Sequence, residues 1–560
     1  MDSRGESLAQ GRKTITPNAQ KMTAGRTGGN TTAMRASAPS SALLVPPPES
    51  LPPPPAAAVL ALNKMGYGPR LGDIGAFNAL GSDGDERHAA YVEQQLNPNS
   101  IDDSEADSRL AAAGFESLGM TLEQLWATYV TGEGYRYRPY YEIRNAAFIR
   151  GLYSKRQLQE LMANFWHNHF NVYGRDYWIA PVFSSYDRDV IRANVFGNFR
   201  TMLDGVAKHT AMLYYLDNYT SSNAGPNENF SRELFELHTL GAENYLGVMQ
   251  QNEVPLDNEG RPIGYVDADV FEATRCFTGW SVDNSSSTGN SGAFLYRSEW
   301  HDRFQKTVLG TFIPQDQPDL QDGHDVLDAL ATHPGTARFI ARKLCVKLIK
   351  DDPPQSIIDQ AAAVFMDNTE STVQLKKVIR TILNSDEFRS TWAEKAKNPF
   401  EIAVSAMRGT NSHFHFAYDA TETNSFFYRY DDTGQPIYRW PAPDGYPDTR
   451  DKWQSASPRV MTWRLANWLI DFHDSNDNYY LNILGQTPGN VRSSNELADF
   501  WINRILGYSM TPADRVQIVQ FMAQGHNPDA DLPLDTDEDT RDRLRAMVGL
   551  ILMSPTFQWR

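Results

Sequence analysis

Two apolar, helix-patterned segments of this chain carry histidine and glutamate in their interiors, and no other feature constrains the fold as much. Residues 165–170 read Phe-Trp-His-Asn-His-Phe, and residues 226–241 read Pro-Asn-Glu-Asn-Phe-Ser-Arg-Glu-Leu-Phe-Glu-Leu-His-Thr-Leu-Gly. A polar group taken into an apolar interior costs free energy unless it is hydrogen-bonded, paired or coordinated. Any fold of this chain must therefore supply partners to these side chains.

His167 and His169 stand two apart, which on a helix separates them by about 200° around the axis. One metal takes both only where the helix ends, and Asn171 and Gly174 provide such an ending. Glu233 and Glu236 are three apart and share a face, while His238 points elsewhere. That spacing is neither the Glu-x-x-His of helix-bundle di-iron sites nor the His-Glu-x-x-His of zincins. Neutral imidazole is the commonest metal ligand, so one reading makes the histidines ligands, joined by Glu233. The competing reading hydrogen-bonds each histidine to a neighbour, pairs Arg232 with Glu236, and uses Asn227 or Asn229 as a helix cap. Trp300-His301-Asp302 falls in irregular sequence, where a rigid scaffold often presents binding residues. His301 with Asp302 reads as a metal-ligand or acid–base pair, or as a turn aspartate beside a solvated histidine, with Lys306 near enough to neutralise Asp302.

The 560 residues exceed the usual ceiling for one core and suggest at least two or three subdomains. A net charge of -17 argues against nucleic acid as a partner, because a phosphate-binding surface needs clustered Lys and Arg. It suits neutral or cationic ligands, metal ions, or solubility alone. Cys276 and Cys345 lie in apolar, helix-like sequence and read as small hydrophobes, which leaves no disulfide framework and no cysteine-rich metal site. No apolar run is long enough for a transmembrane helix, and the N-terminus lacks the apolar stretch of a secretory signal. Neither a Gly-x-Ser-x-Gly elbow, a Walker loop nor a Rossmann fingerprint occurs in a suitable context.

Residues 1–57 read as a disordered low-complexity leader ending in proline runs. Helical patterns fill 58–280, including Lys155 to Phe170, Tyr186 to His209, Asn229 to Leu240 and a helix opening at Asp267. Residues 281–323 switch to Gly, Ser and Asn with alternating Phe294 and Tyr296, the pattern of a small β insertion. Helices resume over 324–560, interrupted by the irregular, aromatic-rich stretch His413 to Trp453. The expected fold is mainly α, a multi-helix globular protein with a small β-hairpin insertion and long ordered loops.

Further short motifs accompany the polar cluster: Tyr67-Gly68-Pro69-Arg70, Phe277-Thr278-Gly279-Trp280, His333-Pro334, Asn398-Pro399-Phe400-Glu401, Pro443-Asp444-Gly445-Tyr446 and Ser554-Pro555-Thr556-Phe557. In this combination the chain resembles the bacterial family catalogued as domain of unknown function 1800, over roughly residues 58 to 560. Members often look exported and are often encoded beside a sulfatase-like family, so the resemblance implies an exported or envelope location and a sulfatase-like partner protein. The leading functional expectation is an enzyme that depends on a divalent transition metal. His167, His169, Glu233, His238 and His301 are its candidate ligands, and Glu233, Glu236 and Asp302 its candidate catalytic groups. The alternative is a non-catalytic envelope or assembly protein in which the polar cluster is a buried network and the aromatic loops bind a glycan or that partner.

Overall fold

A computed structural model describes residues 54–471 and 479–560; positions 1–53 of the expected leader lie outside them. Six of the helices position the sites discussed below: α1 (Arg138–Tyr153), α2 (Gln157–His169), α3 (Asp267–Cys276), α4 (Pro334–Leu348), α5 (Pro399–Gly409) and α6 (Thr421–Asp431). The expected β insertion is two antiparallel hairpins, β1 (Trp280–Val282) with β2 (Phe294–Tyr296), and β3 (Lys306–Val308) with β4 (Thr311–Ile313). Leu309 and Gly310 join β3 to β4, both with positive φ, as a two-residue hairpin turn that follows strand twist requires. A third pair, β5 (His413–Phe414) with β6 (Tyr479–Tyr480), falls partly in the stretch read as irregular. The fold is mainly α, as the periodicity indicates, and among the described residues no helix is long and apolar enough to cross a membrane.

α1 is buried on nearly every side, which is why its sequence shows no clean amphipathic stripe. Its Phe148 is the centre of an aromatic cluster, with ring centroids 4.9 Å from Phe400 of α5 and 5.0, 5.3 and 5.0 Å from Phe426, Phe427 and Tyr430 of α6. These contacts are edge-to-face, the geometry that the ring quadrupole favours. They fasten α5 and α6 to one side chain of α1. Asn398 caps α5 through a reciprocal box, its Oδ1 accepting from Glu401 N–H at 2.9 Å while Glu401 Oε2 accepts from Asn398 N–H at 3.1 Å.

Two segments expected as plain α-helix are interrupted. Tyr186 to His209 is a π-helical stretch, Tyr186–Arg192, followed by a separate α-helix, Phe199–Lys208, capped by Asn198. Asn229 to Leu240 turns from α into a π-helical segment at Leu234–Thr239. Each π segment carries a side-chain bond at five-residue spacing, Arg192 Nε to Asp187 Oδ2 at 2.9 Å and Thr239 Oγ1 to Leu234 O at 2.6 Å. Five residues is the repeat of a π turn, so these bonds are made where an α turn would set the partners apart.

Deleting the Phe148 ring should cost about 3–5 kcal/mol of stability, the range for truncating a buried aromatic. Phe148→Ala is expected to lower the denaturant midpoint markedly, and an unchanged midpoint would contradict the central place given to this ring.

Candidate functional site

The end of α2 presents its two histidines to opposite sides. His167 Nε2 donates to Asp187 Oδ1 at 2.8 Å, and Asp187 also accepts from Arg192 and lies 3.6 Å from Arg150. Arg192 extends the network to Glu160 at 2.8 Å. Burial alone would raise the Asp187 carboxyl, but Arg192, His167 and Arg150 together hold it well below the usual carboxylate range. Burial pushes His167 down against the pull of Asp187. Asp187 and Glu160 thus both have cationic partners, and His167 is one of the groups that hold Asp187.

His169 faces the other way. Its Nε2 donates to the carbonyl of His238 at 3.1 Å, which leaves Nδ1 as the acceptor for Lys343 Nζ at 2.9 Å. The His238 ring packs 6.2 Å from the His169 ring and is fully buried, and neither of its nitrogens has a hydrogen-bond partner among the described residues. Burial pushes His238 down to about 3, with the Lys343 charge adding to the effect. Burial, Lys343 and His238 hold His169 well below the usual range too.

Lys343 lies on α4, where Phe339, Lys343 and Lys347 follow at four-residue spacing and share a face. That face borders a cavity of about 380 Å³ enclosed by α2, α4, the start of α5 and the loop 435–449. Lys347 is neutralised by Glu401 at 2.8 Å. Lys343 has no carboxylate in ion-pair reach among the described residues; its ammonium meets only His169 Nδ1 and the Phe339 ring, 5.3 Å to the centroid. Burial pushes the Lys343 amine down to about 8, opposed by the more distant charges of Asp448, Asp444 and Glu243 at the rim.

The loop forming the outer wall is held by the polar residues that alternate with the histidines. Asn168 Nδ2 donates to the Tyr446 carbonyl at 2.7 Å, and Asn168 Oδ1 accepts from Tyr446 N–H at 2.7 Å. Asn171 Nδ2 donates to the carbonyls of Trp440 and Ala442 at 3.0 and 2.7 Å. Gly445 lies so close beneath that a Cβ there would stand 2.1 Å from the Asn168 carbonyl oxygen, at a φ of 73°. Only glycine fits both restrictions.

The other predicted residues lie apart from the cavity. His301 Nδ1 lies 2.9 Å from Thr278 O and Nε2 lies 3.1 Å from Asp322 Oδ2, so both ring nitrogens face acceptors. Asp302 takes a bidentate bond from Arg275 of α3 at 2.8 and 3.0 Å, while Lys306 turns chiefly to Asp322 at 2.6 Å. This network seals the hairpin insertion against α3. Arg232 pairs with Glu228 and with Asp267, not with Glu236 as the four-residue spacing suggests. Asn227 does serve the start of its helix, its Oδ1 accepting from Asn229 N–H at 3.1 Å. Glu233 and Glu236 are half-buried, and burial, with Glu236 as neighbour, raises the Glu233 carboxyl. His167, His169, Glu233, His238 and His301 thus do not form one donor set, and among the described residues no group of three or more His, Cys, Asp or Glu side chains is placed to hold a metal ion.

Fold and cavity together define a mainly helical protein whose polar cluster braces a lysine-bearing cavity under a fixed loop. The chain belongs to the family described as Protein of unknown function (DUF1800), whose model matches residues 60–559. No curated protein and no solved structure matches it.

Gly445→Ala is expected to loosen the cavity wall. Amide hydrogen exchange over 440–449 should accelerate strongly in this variant while exchange in α1 stays slow. His238 gives a pH dependence. Its unfolded ring takes a proton near pH 6.5 and its folded ring only near about 3, so the unfolded state binds more protons between these values. Stability conferred by the neutral ring is complete above about pH 6.5 and is lost as pH falls through that window. His238→Leu should flatten the dependence of melting temperature on pH there, at a change of no more than about 1 kcal/mol at pH 7, since it removes unpartnered polar atoms from a buried site.

Proposed function

We propose that this protein is an enzyme that acts on a small carbonyl compound by amine catalysis, with Lys343 as the nucleophile. The observation that carries this reading is Lys343 Nζ, 2.9 Å from an imidazole nitrogen and on the wall of the cavity, with no carboxylate in ion-pair reach among the described residues. An ordinary structural lysine is ion-paired or solvated; Lys343 is half-buried and held against a neutral acceptor, which favours the neutral amine that Schiff-base chemistry uses. With its proton midpoint at about 8, much of the amine is neutral in mildly alkaline solution.

His169 acts as a positioning residue. Because its Nε2–H is committed to the His238 carbonyl, its Nδ1 takes one N–H of the Lys343 amine and leaves the nitrogen lone pair for the cavity. Attack forms a C–N bond as the carbonyl π electrons move to oxygen. The protons shed by nitrogen pass to that oxygen, which departs as water and leaves the imine. At the rim Glu243 faces Arg342 at 3.6 Å and Asp448 faces Lys395 at 3.4 Å, so the pocket suits a neutral carbonyl compound.

The test is reductive trapping with propanal and cyanoborohydride, followed by peptide mapping. Lys343 is expected to be alkylated about tenfold or more faster than surface lysines at pH 8, with a rate midpoint near 8, because its neutral fraction there exceeds theirs by more than that factor. His169→Gln should slow trapping at Lys343 without unfolding the chain. Labelling of Lys343 no faster than the surface average would overturn the reading.

A further inference from the structure

A second cavity, of about 500 Å³, lies between α1 and α6. Tyr141, Arg144 and Asn145 share one face of α1, and Asn424, Phe427, Tyr428 and Asp431 share one face of α6, both sets at three- and four-residue spacings. The aromatic cluster around Phe148 fixes these two helices, so the cavity between them is built into the core packing.

Its floor holds an anomaly. Arg144 is 6% exposed, its guanidinium lies 3.5 Å from the Phe427 ring centroid and 4.8 Å from that of Tyr141, and it makes no hydrogen bond or ion pair among the described residues. Its Nε is enclosed without a partner, as are Asn145 Oδ1 and Asp431 Oδ1. The second Asp431 oxygen accepts from Arg439 at 2.9 Å, so it is not the missing partner of Arg144. Buried guanidinium groups are among the last to be left unpaired, because each unmade donor forfeits its hydration. Arg144 thus places on the cavity wall a guanidinium that no group among the described residues neutralises. At the mouth, Tyr135 and Tyr428 are 54% and 74% exposed, and the Tyr135 ring lies parallel to Tyr141 at 4° and 6.4 Å.

We propose that this cavity binds a saccharide bearing a carboxylate, such as a uronic acid residue. The planar carboxylate matches the free fork of Arg144. The tyrosine faces take the apolar face of a sugar ring. A nucleotide would also stack, but beside Asp431 and Asp419 its phosphate brings a second negative charge that the single Arg144 guanidinium does not balance, whereas a carboxylate brings one. The site is separate from the Lys343 cavity and does not depend on amine catalysis there.

The test is calorimetric titration of the full chain with a galacturonic acid tetramer, its methyl ester and adenosine monophosphate. Binding of the acid tetramer is expected, with the ester about tenfold weaker once the charge-assisted pair with Arg144 is lost. Tyr135→Ala and Tyr428→Ala, both at exposed positions that leave the fold intact, should each weaken it about fivefold, the scale of one aromatic contact. Arg144→Gln should abolish the preference for acid over ester. No binding of the acid tetramer at millimolar concentration, undiminished binding in the double tyrosine variant, or tighter binding of the nucleotide would each overturn the proposal.

Discussion

The buried carboxylate of Asp187 fixes the end of α2, and with it everything that faces the first cavity. It gathers His167, Arg192 and Arg150, and Arg192 in turn reaches Glu160 near the start of the same helix. A charge so enclosed is tolerated only while its partners stay, and removing one partner of a buried pair typically costs about 3–5 kcal/mol. Because His167 is consumed in this way, the residue two positions on is turned to the opposite side. His169 is therefore delivered to Lys343 by a network whose own His167 also lines the cavity.

The two α-to-π transitions serve the same end. Asp187 and Arg192 fit one π segment, and the other carries His238 so that its carbonyl meets His169 while its ring is enclosed. An α-helical continuation would rotate His238 progressively away from that position, since the π turn adds a residue to each repeat. The polar residues that make the sequence unusual thus divide into braces, such as His167, His301 and Asp302, and the few that border open space.

Much of this division was legible in the sequence and some was not. The opposed directions of His167 and His169 follow from helical geometry, and the hairpins over 281–323 from their turn residues and alternation. The partners did not follow: Asp187 is 20 residues from His167, and Asp322 is 21 from His301, distances at which no local periodicity operates. Lys343 was missed because it sits in an ordinary amphipathic helix; its signal is the Phe339, Lys343, Lys347 stripe, which places two lysines on a face otherwise apolar. Arg144 was hidden in the same way, within a helix buried all round. Several family motifs are fastenings: His333 caps α4 through Gly335 N–H and donates to Pro262 O, both at 2.9 Å, and Glu401 gathers Lys347 and Arg560 beneath the cavity.

The clasp between Asn168 and Tyr446 carries one more implication. Both of its bonds join an uncharged amide to an uncharged backbone group. An aspartate at that position would lose the donor and gain a charge, and a histidine would titrate. These two bonds are thus indifferent to acidity, whereas the ties the same loop makes through Asp448 to Lys395 and through Arg439 to Asp431 join charged groups and weaken with ionic strength.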